Sequence, residues 1–448
     1  MDSETGKTIP YEGAGFEIYD SNGQKISMTF SYPTPTTIDT FYTNSEGYLI
    51  TPEVLPYGEY SLVEVQAPYG YALDKTPVAF SVSLENAEKE NSLTIVKVEK
   101  QNTAQKGKIS VRKTGDIFTS VTTASSAYTN ENGEMIVNPT TYTPVFADGD
   151  LSGTVFQVTA KEDIVTADGT VRAYAGDVVS EITTDENGYA ETEPLYLGKY
   201  EVREIKAPYG YVLNNEPKDV EVTYAGQEFE VRDTVNTAFE NEYQSVRISL
   251  SKVMESDELF GIYGNDYYTS VRFGLFAAED ITAADGSVIP ADGLISEVSL
   301  DENMTAKFDV QIPFGRYYVQ EIATDEHYVL NGEKYLVNFE YMGQDIQNVD
   351  IDCGQFVNLL KRGRIEGHKT DDKSEPLENA VFGLFTADCV KFSRDTAVMT
   401  AASDENGYFE FDEIPYGEYI VREIEAPTGY ILSGESYPVT VCEDGETI

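Results

Sequence analysis

Tryptophan is absent from the 448 residues, histidine occurs twice and cysteine three times, and 31 basic side chains face 78 acidic ones for a formal net charge of -47. Each scarcity excludes something. Cys353, Cys389 and Cys442 are too few, and odd in number, to form a disulfide framework; Cys389 and Cys442, in one stretch, are the only two that could join within a repeat. His327 and His368, with no HExxH or paired-cysteine spacing, make no metal-binding pattern, and no cofactor is expected. A field this negative repels phosphate backbones and anionic lipid, so nucleic acid and membrane surfaces are poor partners. No apolar run is long enough to span a bilayer, and neither a signal peptide nor a sorting signal is visible. Met1 opens directly on "DSETGKTIP", in mid-pattern, so the chain is expected to be a segment of a longer polypeptide.

What is present reads as folded β structure. Hydrophobic content is 41% and aromatic content 12%, with 32 Tyr and 21 Phe, which is a globular composition. Long helical periodicities are missing. Short alternating apolar runs bounded by Gly, Asn, Asp and Pro fill the chain, the pattern of an all-β protein, and the length suggests three or four domains.

One phrase recurs: "PYGEYSLVEVQAPYGY" (56–71), "YLGKYEVREIKAPYGY" (196–211), "PFGRYYVQEIATDEHY" (313–328) and "PYGEYIVREIEAPTGY" (415–430). A Glu stands four residues after a Tyr in each: Glu64, Glu204, Glu321 and Glu423. Their offsets, 204 − 64 = 140, 321 − 204 = 117 and 423 − 321 = 102, place length variation in loops or added strands. Ahead of each Glu lie a Phe-bearing strand ("GAGFEIYD", "GTVFQVTA", "VRFGLFAA", "AVFGLFTA") and an acidic turn ("TNSEGY", "TDENGY", "LDENMT", "SDENGY"). The turns are hairpin chemistry, too short for a calcium loop, and the third has Met304 where Gly is expected. The second and third repeats share a further hairpin ("EDIVTADGTV", "EDITAADGSV"), and the second carries an insert at 117–150 rich in Thr, Ser, Tyr and Asn, either a surface loop or a small added sheet.

The repeat junctions hold a second pattern. Asn102 precedes Lys113, Asn241 precedes Lys252 and Asn358 precedes Lys369, each by 11 residues (113 − 102, 252 − 241, 369 − 358). Alternation puts each Lys on the apolar face of its strand, with Ile109 and Val111, Ile248 and Leu250, or Ile365 and Gly367. Phe239 shares a face with Asn241, and Phe356 with Asn358. Each Glu shares its side with an apolar residue two positions earlier. A Lys, a Glu and an Asn from different strands are thus aimed at a core, where unpaired charge is very costly. Burial lowers a Lys pKa and raises a Glu pKa, so a neutral amine beside a neutral acid is accessible near neutral pH. The amine is then a nucleophile and the acid a polarising proton shuttle. Attack of Nζ on the Asn Cγ expels ammonia and leaves an isopeptide bond. The alternative is a hydrogen-bonded ionic cluster without covalent chemistry.

The boxes "YSLVEVQAPYGY", "YEVREIKAPYGY" and "YIVREIEAPTGY", taken with the strand Lys and late-strand Asn, resemble the Cna B-type, SpaA-like domains of Gram-positive surface proteins and pilins. The resemblance covers essentially the whole chain; in the third repeat "ATDEHY" (323–328) replaces Ala-Pro-x-Gly-Tyr. It implies an all-β tandem array of four prealbumin-like or Ig-like β-sandwich domains: 1–104, 105–244 with the 117–150 insert, 245–361 and 362–448. It implies too that Lys lies on a domain's first strand and Asn on its last. Lys113 then pairs with Asn241 through Glu204, and Lys252 with Asn358 through Glu321. The first domain, lacking its first strand, keeps Glu64 and Asn102, its Lys falling before Met1. The last, lacking its final strand, keeps Lys369 and Glu423, its Asn falling after Ile448. Lys7 is a poor substitute. Two bonds are expected, and a place outside the cell on a Gram-positive wall whose anchor is not in this segment.

Three functions follow for comparison. A crosslink joining first and last strands carries load past the sheet, which suits a stalk or pilin-like segment, monomeric and continuous with neighbouring domains of a surface polypeptide. An adhesin would instead use inserts, the Tyr-rich 117–150 stretch ("SAYTNENGE", "TTYTPVF") foremost, to bind a host extracellular protein or glycan; the absence of Trp weakens a lectin reading. An enzyme is disfavoured, because no nucleophile–base–orienter set lies outside the single-turnover triads.

Overall fold

The computed structural model describes all residues except 32, 86–87, 91–92, 130–134 and 233, and at 88–90, 93–94, 128–129 and 136–137 the backbone only. Part of the "SAYTNENGE" stretch therefore lies outside the described residues. Among the described residues the regular structure is almost entirely β, with two three-residue 3-10 turns, Gly264–Asp266 and Tyr268–Ser270.

One four-stranded antiparallel arrangement recurs four times among the described residues, the third time as part of a larger sheet. Its spatial orders are Phe41–Tyr42, Gly15–Asp20, Gly58–Gln66, Val78–Val82; then Val178–Thr183, Val155–Ala160, Gly198–Lys206, Lys218–Val222; then Leu294–Ser299, Arg272–Ala277, Gly315–Ala323, Tyr335–Phe339; and Met399–Ala402, Val381–Thr386, Gly417–Glu425, Ser436–Val441. The Glu-bearing strand sits beside the Phe-bearing strand each time, and each Glu stands opposite a Phe: Phe16 and Glu64, Phe156 and Glu204, Phe273 and Glu321, Phe382 and Glu423. Immediately before that Phe the register slips in all four. A bulge of this kind re-aims side chains, and here it falls at the carboxylate. The Tyr four residues before each Glu donates its hydroxyl to a carbonyl another four residues back, Tyr60 to Pro56, Tyr200 to Tyr196, Tyr317 to Pro313 and Tyr419 to Pro415, which anchors the start of the Glu strand.

A second sheet carries the Lys and the Asn. Ile109–Ala124 runs parallel to Val235–Asn241 and antiparallel to Tyr189–Glu191. Ser245–Met254 likewise runs parallel to Asn348–Asn358 and antiparallel to Thr305–Phe308. Arg362–His368 pairs with Tyr408–Pro415, and in the first repeat a parallel bridge joins Asp2 to Asn102. Ile109, Val111, Phe156, Val158, Val202 and Phe239 are among the buried residues that form one core; Ile365, Leu384, Phe411 and Val421 belong to its counterpart in the fourth repeat.

The chain forms two compact units. The first comprises Met1–Ile117, Asp148–Tyr243 and Gly343–Asp345, the second Phe118–Ala147, Gln244–Met342 and Ile346–Ile448. Within the first, the joint between repeats is a glutamine clasp. Gln105 Nε2 donates to the carbonyls of Gly226 (2.7 Å) and Phe229 (2.8 Å), Gln105 Oε1 accepts from Ala225 N, and Gln227 Oε1 accepts from Ala67 N. Within the second, the Arg362 guanidinium spans Glu255 (2.9 Å) and Asp257 (3.1 Å). The insert takes the added-sheet form. Thr141–Asp150 neighbours Ile109–Ala124, its Thr141 pairs with Leu294, and the Phe118 carbonyl accepts from Ala284 N. Phe118 and Thr141 thus attach this strand pair to the third repeat, although sequence order places it in the second.

The acidic turns close as hairpins. Asp185 Oδ1 accepts from Asn187 N and Tyr189 N, and Gly188 is left-handed (φ 65°). A Cβ at Gly188 would lie 2.3 Å from the Lys113 carbonyl oxygen, so glycine there lets the turn press onto the Lys strand. The third repeat keeps this turn with Met304 at φ 60°, and Lys252 N still donates to Met304 O (2.8 Å). A non-glycine residue pays for that conformation, while glycine loses more chain entropy on folding. Met304→Gly is therefore expected to stabilise the protein by about 0.5–1 kcal/mol, read as a higher denaturant midpoint at unchanged slope. All three cysteines are free thiols, so the Cys389–Cys442 pairing does not occur.

Candidate functional site

The inward alternation places every residue of the two complete sets in the core. The Lys113 and Glu204 side chains are 0% exposed, as are those of Lys252 and Glu321, and Asn241 and Asn358 are buried. Lys113 Nζ donates to Asn241 Oδ1 and lies 3.0 Å from Glu204 Oε2. The other Glu204 oxygen accepts from Asn241 Nδ2 at 2.6 Å. In the second set Lys252 Nζ is 2.6 Å from Asn358 Oδ1 and 2.7 Å from Glu321 Oε1, and that same Oε1 accepts from Asn358 Nδ2 at 3.0 Å. Each Glu thus touches the nitrogen that would attack and the nitrogen that would leave. Aromatic rings wall the sites: the Lys113 ammonium is 6.0 Å from the Phe239 ring centre, Lys252 is 5.6 Å from that of Phe273, and Phe156–Phe239 and Phe273–Phe356 are each 4.8 Å apart.

This packing sets the electrostatics. Burial pulls the Lys113 and Lys252 ammonium groups below the ordinary lysine range, against the opposing pull of Glu204 and Glu321. Burial pushes the Glu204 carboxyl above the carboxylate range, against the hydrogen bond from Asn241 and the charge of Lys113. Both displacements favour the uncharged amine and acid.

The incomplete sets hold two members each. Asn102 Nδ2 donates to Glu64 Oε2 (2.7 Å) and to the Ala72 carbonyl (3.1 Å), while the buried Glu64 Oε1 has no hydrogen-bond partner. Lys7 is turned away, its Nζ on Thr170 Oγ1 at 2.9 Å. In the fourth repeat Lys369 Nζ lies 3.3 Å from Glu423 Oε1, near enough for ionic attraction yet misaligned for a hydrogen bond, and Lys369 is 20% exposed where Lys113 is fully covered.

Sequence reasoning missed a fourth contributor. Ten residues beyond each Glu a backbone N–H points at its carboxylate: Asp74 N to Glu64 (3.1 Å), Asn331 N to Glu321 (2.8 Å) and Ser433 N to Glu423 (2.8 Å), with Asn214 the equivalent for Glu204. The side chains of those four residues cap the next turn, accepting from Thr76, Glu216, Glu333 and Glu435 N. The signal was legible as an Asp, Asn or Ser three residues after the last Tyr of every box.

The family model "SpaA: Prealbumin-like fold domain" matches residues 1–99, 146–236 and 363–448, well over half the chain. The third repeat lies outside these matches, although its strands and site reproduce theirs. The chain is 30% identical over 90 residues (20% of this chain, 16% of the relative) to the trypsin-resistant surface T6 protein of Streptococcus pyogenes serotype M6. It is 26% identical over 165 residues (33% of this chain, 14% of the relative) to a collagen adhesin of Staphylococcus aureus. It thus spans only a small part of the length of the curated relatives it matches. In fold it is similar to the Bacillus anthracis TIE protein, with a TM-score of 0.54 at 19% identity, over 98% of this chain and 67% of that one.

Proposed function

This chain belongs to the SpaA family of prealbumin-like fold domains, and we propose that it is a load-bearing stalk segment of a Gram-positive surface protein, self-crosslinked by Lys113–Asn241 and Lys252–Asn358 isopeptide bonds. The observation that carries this reading is the pair of buried Lys–Glu–Asn sets, each with Nζ already on the Asn carboxamide oxygen.

The chemistry needs no other group. The neutral Lys amine attacks Cγ; Glu204 or Glu321 takes the amine's proton and returns it to Nδ2, and ammonia leaves. Two buried ionisable groups become one neutral amide and one protonated acid, which removes the cost of charge in the core. Each bond ties the strand that opens a sandwich to the parallel strand that closes it, so tension passes through the tie and the intervening strands stay unloaded. The glutamine clasp and the Arg362 bridge suit the same task, since they leave the joints within each unit little slack.

Single-molecule stretching tests this. The wild-type chain is expected to show no unfolding step from the segment between Lys113 and Asn241. Lys113→Met should add one that releases 128 residues, roughly 420–460 Å of extended chain. A step of that length in the wild type would contradict the stalk reading. A second reading has its own support in the insert, where residues 122–127 are exposed and Met135 is 73% exposed. A host extracellular protein or glycan bound there should be lost when 123–137 is deleted, with both crosslinks intact.

A further inference from the structure

The third repeat departs from the others at one atom that touches the reacting groups. Counting from the Glu, Thr324 stands where Ala67, Ala207 and Ala426 stand in the other boxes. Its Oγ1 accepts a hydrogen bond from Asn358 Nδ2 at 2.7 Å. Nδ2 carries two hydrogens, and Glu321 Oε1 accepts from the same nitrogen at 3.0 Å. Both donors are therefore engaged, and the carboxamide cannot rotate to offer nitrogen in place of oxygen to Lys252. The turn that follows keeps its closure without proline or glycine, Tyr328 N donating to Asp325 O (3.0 Å) as Tyr211 N does to Pro208 O (3.2 Å), so the hydroxyl is added without moving the loop's end.

We propose that Thr324 is a positioning residue for crosslinking in the third repeat, holding the departing nitrogen of Asn358 through the reaction; this rests on the isopeptide reading above. The Lys252 Nζ lone pair forms the new bond to Cγ, and one Nζ proton passes through Glu321 Oε1 to Nδ2. The Cγ–Nδ2 bond then breaks with its electron pair on nitrogen, so ammonia departs and one amide replaces another with no co-reactant. As Cγ becomes tetrahedral, Nδ2 gains a basic lone pair that must face Glu321. The Thr324 contact fixes that orientation by keeping its N–H on Oγ1 while the lone pair takes the proton from Glu321.

The test is cell-free synthesis of the full chain, quenched in acid at timed intervals and digested, with the Lys252–Asn358 peptide quantified by mass spectrometry. The Lys113–Asn241 peptide of the same molecules is the internal reference. Thr324→Val, which keeps the shape, and Thr324→Ala, which restores the residue of the other boxes, should each slow the third-repeat bond about tenfold, the loss of one hydrogen bond to a reacting group. Thr324→Ser should keep the wild-type rate, and the second-repeat bond should be unchanged throughout. Equal rates in Thr324→Val and wild type, or a Thr324→Ser as slow as Thr324→Val, would overturn the role of the hydroxyl while leaving the crosslink standing. Absence of the Lys252–Asn358 peptide from the wild-type chain would overturn the crosslinking reading itself, and this proposal with it.

Discussion

Lys113→Met is expected to lower the stability of the second repeat by about 5 kcal/mol. The substitution keeps a long apolar stem in the core and removes the nucleophile, so its main effect is loss of the covalent tie. The tie closes a loop of 128 residues, and by analogy with disulfides a closure of that length restricts the unfolded chain by roughly 5 kcal/mol. Glu204→Ala should cost more. It also prevents the bond, and it leaves the buried Lys113 amine and the Asn241 carboxamide without their hydrogen-bond partner, a further penalty of about 1–3 kcal/mol. Chemical denaturation of the two variants separates the terms. If Lys113→Met unfolds with wild-type stability, no tie exists to be lost.

The first repeat should show the opposite dependence on charge. Burial raises the Glu64 carboxyl to about 7, against the hydrogen bonds from Asp74 N and Asn102. A group whose folded pKa lies above its unfolded value stabilises the fold fully below the unfolded value, here near 4.5, and that contribution is lost as pH rises through the folded value. Protonated Glu64 thus supports the sandwich in acid. Between about pH 4.5 and 8 the repeat should weaken by about 3.4 kcal/mol, the cost of a rise from 4.5 to about 7 at about 1.36 kcal/mol per pH unit. The unpartnered Glu64 Oε1 is the structural reason, since both hydrogen bonds to this carboxylate go to Oε2 and leave the burial of Oε1 unoffset. Glu64→Gln should abolish the slope. Hydrogen exchange of the Gly58–Gln66 amides across that range reads the difference, and equal slopes in the two proteins would refute the assignment.

The parts of this site that are legible in sequence are those with strand periodicity. Alternation alone places Lys113 beside Ile109 and Val111, and Glu204 beside Val202, on inward faces, and the structure buries all of them. Repetition makes the Lys, Glu and Asn stand out from solvated charge. The backbone N–H groups ten residues after each Glu escape such a reading because main-chain direction has no residue type; only their turn-capping side chains betray them. Thr324 escapes for another reason. It reads as part of a degraded box, and its meaning depends on the distance to Asn358, a residue 34 positions away. The insert misleads because sequence adjacency to the second repeat says nothing of the edge it extends, which Thr141 and Leu294 reveal.

The most direct measurement is the intact mass of the purified wild-type chain beside Glu204→Ala and Glu321→Ala. The wild type should weigh two molecules of ammonia less than its sequence, and each variant should recover one of them. A wild-type mass equal to the sequence would contradict the covalent account and leave two buried Lys–Glu–Asn clusters held by hydrogen bonds alone.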